Sequence, residues 1–223
     1  MKKERLPKRK KLRTRRQTTL KRFFIMAVVM ILVNHFMILG LLLPIQAIRK
    51  VEERQGTGRT KVVTRVHVPE IYAAMLLYLT ENENTTVLAD THLSLYGWMP
   101  DFGTALDCTS GAPLYAGRVC LYHDGESVSY FFGRVDDPAI ETVSVRLFAF
   151  EVDEMSRRVP GEEVECLTAP KLYEKEGRRY FLLRDAGRDS GERLPIPIAI
   201  GYDSGGNEVA RLEIEEGRGS FYG

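Results

Sequence analysis

The sequence has few of the residues that build metal centres and nucleophilic sites. It contains three cysteines, four histidines and one tryptophan among 223 residues. No CxxC, HxH or HxxxH spacing occurs, and no glycine-rich loop precedes a helix, so zinc and phosphate binding have no motif here. A Gly-x-Ser-x-Gly elbow is also missing. We therefore predict no catalytic residues, no metal and no cofactor.

Acidic charge is nearly absent from the first 22 residues. They carry twelve Lys and Arg and one acidic residue, Glu4, whereas the rest of the chain carries 20 basic and 29 acidic side chains. The first part therefore has a net charge of +11 and the remainder −9. Such a split indicates that the two parts meet different surroundings.

All formal charge is absent from residues 23–43, FFIMAVVMILVNHFMILGLLL. As a helix these residues would span about 31 Å, close to the hydrocarbon core of a bilayer at about 30 Å. We predict one transmembrane helix, with residues 1–22 as a cytoplasmic tail and residues 44–223 outside the cell membrane. The basic tail would also attract anionic lipid headgroups. Nucleic acid is not a favoured partner.

A cleaved signal peptide ending at Ala47 is the alternative interpretation. Its apolar stretch would be about 7 to 15 residues long and would end in a small-x-small pattern. Here the stretch is longer, and Ile45 occupies the position that should be small. We therefore favour an uncleaved signal-anchor. Asn34 and His35, the polar side chains of the stretch, are interpreted as tolerated or as contacts to a partner helix.

The pattern of polar and apolar residues changes again after residue 43. Residues 49–61 are polar and show no apolar period, so we assign residues 44–61 to a juxtamembrane linker. Residues 62–223 show short apolar or alternating runs broken by turn residues, which predict a mostly β domain with a sandwich-like fold. Turn formers concentrate in residues 99–113, so a division into two β modules would fall near residues 100–113.

The predicted strands are residues 62–68, 71–80, 86–90, 93–98, 114–123, 128–133, 143–150, 164–167, 179–183, 196–202 and 208–214. Residues 71–79 follow Pro69, and a short helix is the alternative there. Three turns have a clear mechanism: residues 81–84, the Asp-Gly pair at 124–125, and residues 203–207.

Cys108, Cys120 and Cys166 all lie in the predicted outer domain, where disulfides persist. Cys108 and Cys120 are close in sequence and flank a turn-like segment, so they are the preferred pair. Three free, buried thiols are the alternative.

Carboxylates and histidines offer the remaining chemistry. Asp90 and His92 would lie on one face of a strand and could begin a metal site, but three or four ligands are needed. Asp90, Asp101 and Asp107 are the candidates if the domain is a hydrolase of envelope material, since glycoside hydrolysis uses two carboxylates about 5 to 10 Å apart.

Aromatic residues cluster at Tyr96 and Trp98. Core packing is the favoured interpretation, because aromatic side chains dominate core burial. The alternative is an exposed binding platform for a glycan or a peptide.

Several stretches together resemble a loose group of proteins. They are residues 95–98 (Leu-Tyr-Gly-Trp), residues 130–145, residues 179–181 and residues 201–209. The group consists of β-rich, membrane-anchored or secreted extracytoplasmic proteins of Gram-positive, spore-forming bacteria, and the similarity covers about residues 65–214. The resemblance implies a compartment and a β-rich fold, and its motifs carry no active site.

The function expected from the sequence is therefore a non-enzymatic binding or accessory domain, anchored to the membrane and facing an envelope component or protein partner. The alternatives are an envelope-acting hydrolase that uses carboxylates, or a structural membrane protein that assembles through its helix.

Overall fold

The chain folds mainly into antiparallel strands, as a computed structural model shows. The structure describes residues 15–37, 41–69, 71, 73–123, 126–152, 155, 157–185 and 195–214. Within these ranges the helices are α1 (Arg15–Met37) and α2 (Pro44–Gln55). The strands are β1 (Lys61–His67), β2 (Met75–Glu81), β3 (Thr85–Ser94), β4 (Gly97–Asp107), β5 (Leu114–His123), β6 (Glu126–Val135), β7 (Thr142–Val152), β8 (Arg158–Thr168), β9 (Tyr173–Lys175), β10 (Arg178–Asp185), β11 (Ile196–Tyr202) and β12 (Glu208–Glu213). The predicted mostly β architecture is confirmed.

The strands form three sheets of four strands each within the described residues. Sheet 1 is a meander with the order β1-β2-β3-β4. Sheet 2 has the order β5-β6-β10-β9, and sheet 3 has the order β12-β11-β7-β8. Every pairing is antiparallel, so short hairpins can join neighbouring strands.

Sheet 2 is the middle layer of the stack. Side chains alternate between the two faces of a strand. On β6, Tyr130 and Phe132 pack in one core with Leu77 of sheet 1. Phe131, which lies between them, packs in a second core with Val145 of sheet 3. A strand buried on both faces needs a continuous apolar run, which explains the Tyr-Phe-Phe sequence.

The predicted module boundary near residues 100–113 is mostly strand. Strand β4 extends to Asp107, and only residues 108–113 form the loop that leads to β5. Leu88 before this loop and Val119 after it belong to the same core. The two sides of the loop therefore do not have separate cores.

Most predicted strands lie where the sequence places them, and the errors have physical causes. The predicted strand at 93–98 is wrong because Leu95 and Tyr96 form the turn between β3 and β4. Residues 71 and 73–74 are turn, so only the second half of the predicted strand at 71–80 is extended. Strand β9 and the first half of β8 were not predicted, since their polar side chains are largely exposed and show no apolar alternation.

Helix α2 occupies the first part of the predicted linker. Leu43 is extended (φ −124°, ψ 141°), as a residue before proline prefers, and Pro44 begins the helix. Gly56 ends it in the left-handed region (φ +67°). The helix was missed because two of its buried residues, Val51 and Glu52, lie inside the polar run at 49–61 that was interpreted as linker.

Helix α2 is docked on the outer face of sheet 1. Ile48 and Val51 are buried and pack with Val87 and Ala89 of β3. Glu52 is buried as well; it accepts hydrogen bonds from Thr60 Oγ1 and, at 2.5 Å, from Arg49 Nη1. The described part of the chain between residues 44 and 61 is thus held to the sheet rather than free as a spacer.

Helix α1 differs from the predicted helix at 23–43. It begins at Arg15 and ends at Met37, and residues 38–40 lie outside the described ranges. Leu41 pairs with Trp98 instead of continuing a helix, and Leu43 is extended. The side chains of Asn34 and His35 also lie outside what is described. Among the described residues, no helix is long and apolar enough to cross a membrane.

Candidate functional site

The tip of the β3–β4 hairpin is the most exposed apolar part of the β domain. Ser94 pairs with Gly97, so Leu95 and Tyr96 form a two-residue turn. The Ser94 hydroxyl donates to the Gly97 carbonyl at 2.9 Å and accepts the Tyr96 N–H at 3.1 Å. The turn is therefore held by its own side chain while its two central residues point outward.

Exposure at this tip is unusually high for apolar side chains. Leu95 is 100% exposed and Tyr96 is 59% exposed, and Leu93 is exposed as well. Trp98, the second residue of β4, is half-buried. An exposed apolar patch of this kind marks a site where a protein contacts a partner or a membrane.

The segment after α1 joins this tip through Leu41. Leu41 N–H donates to the Trp98 carbonyl at 2.9 Å, and Trp98 N–H donates to the Leu41 carbonyl at 2.8 Å. Because Trp98 also pairs with Leu93, the three residues form one row across the sheet, with side chains on the same face. Leu42 and Leu43 follow and are exposed. We call Leu41, Leu42, Leu43, Leu93, Leu95, Tyr96 and Trp98 the hairpin-tip patch.

The patch contains no charge. Residues 41–48 and residues 93–100 each run for eight positions without Asp, Glu, Lys or Arg. The nearest ionisable pair on the hairpin is His92 and Asp101, whose Nδ1 and Oδ2 atoms are 3.6 Å apart. His92 pairs with Met99, two residues behind the Ser94–Gly97 pair, so this His–Asp pair lies about 7 Å behind the base of the turn.

Asp90 lies farther behind the tip, at a bulge between β3 and β4. The register shifts there, so that Asp101 and Phe102 lie opposite Asp90. The Asp90 carboxyl is 1% exposed and accepts the Phe102 N–H at 2.7 Å. Burial, assisted by the neighbouring Asp101 charge, raises the pKa of Asp90 to about 8 despite this hydrogen bond. The carboxyl is therefore mostly neutral at pH 7.

The three carboxylates proposed for a hydrolase do not form a common site. Asp90 faces the core between sheets 1 and 2, where solvent does not reach it. Asp101 is on the surface beside His92, whereas Asp107 pairs with Thr85 at the opposite end of β4. Within the described ranges, no group of three His, Cys, Asp or Glu side chains is arranged to hold a metal ion.

The predicted disulfide between Cys108 and Cys120 is not present, and all three cysteines are free. The Cys108 carbonyl accepts a hydrogen bond from Arg134, which pairs with Tyr115 near the start of β5. Cys120 lies five residues after Tyr115 on β5, about 17 Å from Tyr115 at 3.4 Å per residue, whereas Cys108 lies at the Tyr115 end of the strand. A disulfide needs Cα atoms within about 7 Å, so the pair cannot form in this fold.

Arg134 is a buried cation that sequence reasoning missed. Its guanidinium donates to the carbonyl oxygens of Glu83 at 3.1 Å and Cys108 at 2.9 Å, and contacts Asp136 Oδ2 at 2.6 Å. It also lies 5.1 Å from the centre of the Tyr115 ring. These contacts tie the β2–β3 turn of sheet 1 to sheet 2, which is a structural role. Its position in an alternating strand gave no signal of burial.

A second buried charge lies between the same two sheets. Glu81 of β2 is buried, and its Oε2 atom is 3.5 Å from Arg178 Nη1. Tyr180 of β10 faces this carboxylate, and burial together with the Glu81 charge raises the pKa of the Tyr180 phenol well above its usual value. The phenol therefore stays neutral at pH values at which an exposed tyrosine already ionises.

Comparison of the chain with protein-family models, with curated proteins and with solved structures finds no match.

The structure places the two aromatic candidates close together but in different settings. Tyr96 is in the turn and Trp98 is in the strand that follows it. Residues 41–43 are not predicted from the sequence to belong to this site, because they are part of the predicted helix at 23–43. Pro44 was the available signal, since proline disfavours helical backbone at the residue before it.

Proposed function

We propose that the chain is a membrane-tethered, non-enzymatic binding or accessory domain on the outer side of the cell membrane. The apolar part of α1, from residue 23 to residue 37, provides the tether; residues 1–22 lie in the cytoplasm, and the β domain faces the envelope. The observation that carries the proposal is the exposure of α1, which has apolar side chains on every side.

Ten large apolar side chains lie between residues 23 and 33 of α1, each between 39% and 69% exposed. Successive residues in a helix are rotated by about 100°, so ten of eleven consecutive positions cover the whole circumference. A helix that is apolar all round is stable inside a large core or in lipid. The described β domain does not cover these side chains, which favours lipid as their surroundings.

The charge distribution supports the orientation. Lys21 and Arg22 are exposed in α1 immediately before the apolar side chains begin, and ten more basic residues precede them. Basic residues next to a membrane helix are retained on the cytoplasmic side. The resemblance to extracytoplasmic proteins of Gram-positive bacteria agrees with this orientation.

The short connection between α1 and sheet 1 supports a tether without a flexible stalk. Three residues, 38–40, separate Met37 at the end of α1 from Leu41, which is hydrogen-bonded to sheet 1. Four Cα–Cα steps reach at most about 15 Å. The β domain would therefore lie directly on the membrane surface, where an accessory domain meets other membrane proteins or the inner part of the envelope.

The binding or accessory role is favoured over the hydrolase alternative by the carboxylates. Glycoside hydrolysis needs two carboxyl groups that both reach the substrate. Asp90 is buried, and Asp107 lies at the other end of β4 from Asp101. This set therefore offers no pair that flanks a substrate.

Thiol labelling in intact cells tests the topology. Cys166 is exposed on β8, and Cys108 is buried. We expect a membrane-impermeant maleimide to label the full chain in intact cells. The label should be reduced in Cys166→Ser and lost when the half-buried Cys120 is also replaced by Ser. The mass of the mature chain decides whether cleavage occurs after Ala47. Labelling only after the cells are opened would place the β domain inside and contradict the proposal.

A further inference from the structure

We propose that the hairpin-tip patch is a second membrane contact, which inserts into the outer leaflet beside the tether. This inference rests on the proposed function, because it requires α1 to be held in the bilayer. Leu95 and Tyr96 would enter the boundary between headgroups and acyl chains, with Leu42 and Leu43 beside them.

Covalent connection brings the patch to the membrane. The chain between Met37 and Leu41 can extend at most about 15 Å, whatever its conformation. Leu41 is hydrogen-bonded to Trp98, at the base of the hairpin tip. If α1 ends at the membrane surface, the tip must lie within reach of the same surface.

The apolar part of α1 is shorter than the hydrocarbon core of a bilayer, so other apolar residues would have to complete the contact with lipid. Residues 23–37 are helical and would span about 22 Å, which is about 8 Å less than the hydrocarbon core. A short span is accommodated by local thinning of the bilayer, which brings the residues that flank the helix closer to the acyl chains. The half-buried Leu41 and the exposed Leu42 and Leu43 continue the apolar sequence. Leu41 is hydrogen-bonded to the β domain, so these leucines would bring the hairpin tip with them.

The chemistry of the patch fits lipid better than a folded protein partner. Exposed leucines surround one Tyr and one Trp, and aromatic residues with polar atoms prefer the membrane interface. The uncharged part of the hairpin reaches about 7 Å back to His92. That depth agrees with the 5–10 Å to which apolar faces enter the interface.

Trp98 provides a direct probe, because it is the chain's one tryptophan. The full chain is reconstituted in vesicles of phosphatidylcholine and phosphatidylglycerol, in which brominated phosphatidylcholine replaces the ordinary lipid in a second sample. We expect brominated lipid to remove most of the Trp98 emission, and more strongly when bromine is placed near the headgroup than near the acyl-chain end.

Variants separate the tip from the tether. Leu95→Asp with Tyr96→Asp should lose most of this quenching while the protein still resists carbonate extraction. Val164→Asp is the matched control, since Val164 is 65% exposed on β8 of sheet 3, and it should quench like the wild type. Leu95→Ser is a milder variant that removes no buried contact, so a partial loss of quenching is expected from a folded protein.

The outcomes distinguish the two proposals. Absence of quenching in a wild-type protein that resists extraction overturns the tip contact and leaves the tether intact; a protein partner or a second copy would then be the occupant. Release of the protein by carbonate overturns both. Equal quenching in the wild type and the double Asp variant also overturns the tip contact.

Discussion

Leu41 and Trp98 form a two-way backbone hydrogen-bond pair, with N···O distances of 2.9 and 2.8 Å. Fifty-six residues separate them in the chain, and nothing in either local sequence indicates the pairing. The pair fastens the segment that follows α1 to the edge of sheet 1. Residues 41–61, which the sequence predicts to be the end of a helix and a linker, are therefore part of the β domain.

Leu41→Pro should release this pair, because proline has no N–H to donate to the Trp98 carbonyl. We expect amide hydrogen exchange at Trp98 to accelerate, with a global stability loss of about 1–2 kcal/mol. Leu42→Ala is the control, since Leu42 is exposed, and it should leave the Trp98 exchange rate unchanged. Unchanged exchange in Leu41→Pro would contradict the pairing.

Asp90→Asn should alter the pH dependence of stability. The folded pKa of Asp90 is about 8, against 3.8 without the fold, so between those values the folded state holds a proton that the unfolded state has released. Its contribution is therefore fully favourable below about pH 4 and declines as pH rises towards 8, by up to about 5 kcal/mol. Asn keeps an oxygen for the Phe102 N–H and cannot ionise.

We expect urea unfolding of Asp90→Asn at pH 5, 6, 7 and 8 to show a flatter profile than the wild type, with higher stability at pH 8. Asp107→Asn is the matched control, because Asp107 is exposed on the neighbouring strand β4. Parallel profiles for the wild type and Asp90→Asn would show that Asp90 is not held neutral.

Gly103→Ala should destabilise the docking of α2. A Cβ atom at Gly103 would overlap Val51 Cγ1 of α2 and lie 3.3 Å from Ala89 Cβ. Overpacking of this kind costs about 1–3 kcal/mol. The double variant Gly103→Ala with Val51→Ala should recover part of the loss, and thermal unfolding of the four proteins in the cycle measures this coupling. Additive effects would indicate that α2 does not lie on this face.

Arg134→Met should be strongly destabilising. It leaves the Asp136 carboxylate and the carbonyls of Glu83 and Cys108 without their donor, and loss of one partner from a buried charge network costs about 3–5 kcal/mol. Arg211→Met is the matched control, because Arg211 pairs with Glu208 on the surface, where such pairs contribute about 0.5 kcal/mol. Similar chemical denaturation midpoints for both variants would show that the Arg134 network is not structural.

The cysteines should react as three separate thiols. Cys166 is exposed and should react first with a thiol reagent, followed by Cys120. Cys108 is buried, and burial raises the pKa of its thiol, so it should react only after unfolding. A thiol count of three in denatured, unreduced protein is expected. A count of one would restore the Cys108–Cys120 disulfide.

Local patterns were sufficient for most of the strands. Alternation at residues 143–150 predicted a strand that the structure confirms in position. The predicted Asp-Gly turn at 124–125 lies outside the described residues, but the two strands that it was expected to join, β5 and β6, are paired. The same method misplaced β4, because Pro100 and Gly103 look like turn residues in sequence. In the fold Pro100 lies beside the bulge on β4, which is an edge strand of sheet 1. Gly103 lies where α2 packs against the strand and leaves no room for a side chain.

The candidate site was less accessible to prediction than the strands. Tyr96 and Trp98 were singled out from composition, but their neighbours Leu41, Leu42 and Leu43 lie more than 50 positions earlier. The contact between these distant segments is made by backbone pairing at a strand edge. Such pairing does not depend on a repeating pattern of side chains, so the sequence does not indicate it.

The sequence by itself determined the class of the domain, the charge split across an apolar stretch, and most strand positions, because propensity, alternation and charge act over a few residues. The tertiary structure decided the rest. It stacked three sheets, buried Asp90 and Arg134, separated Cys108 from Cys120, and joined Leu41 to Trp98. Those outcomes depend on which surfaces pack together. Buried polar groups need hydrogen-bond partners, and those partners are brought into place only when the whole chain is packed.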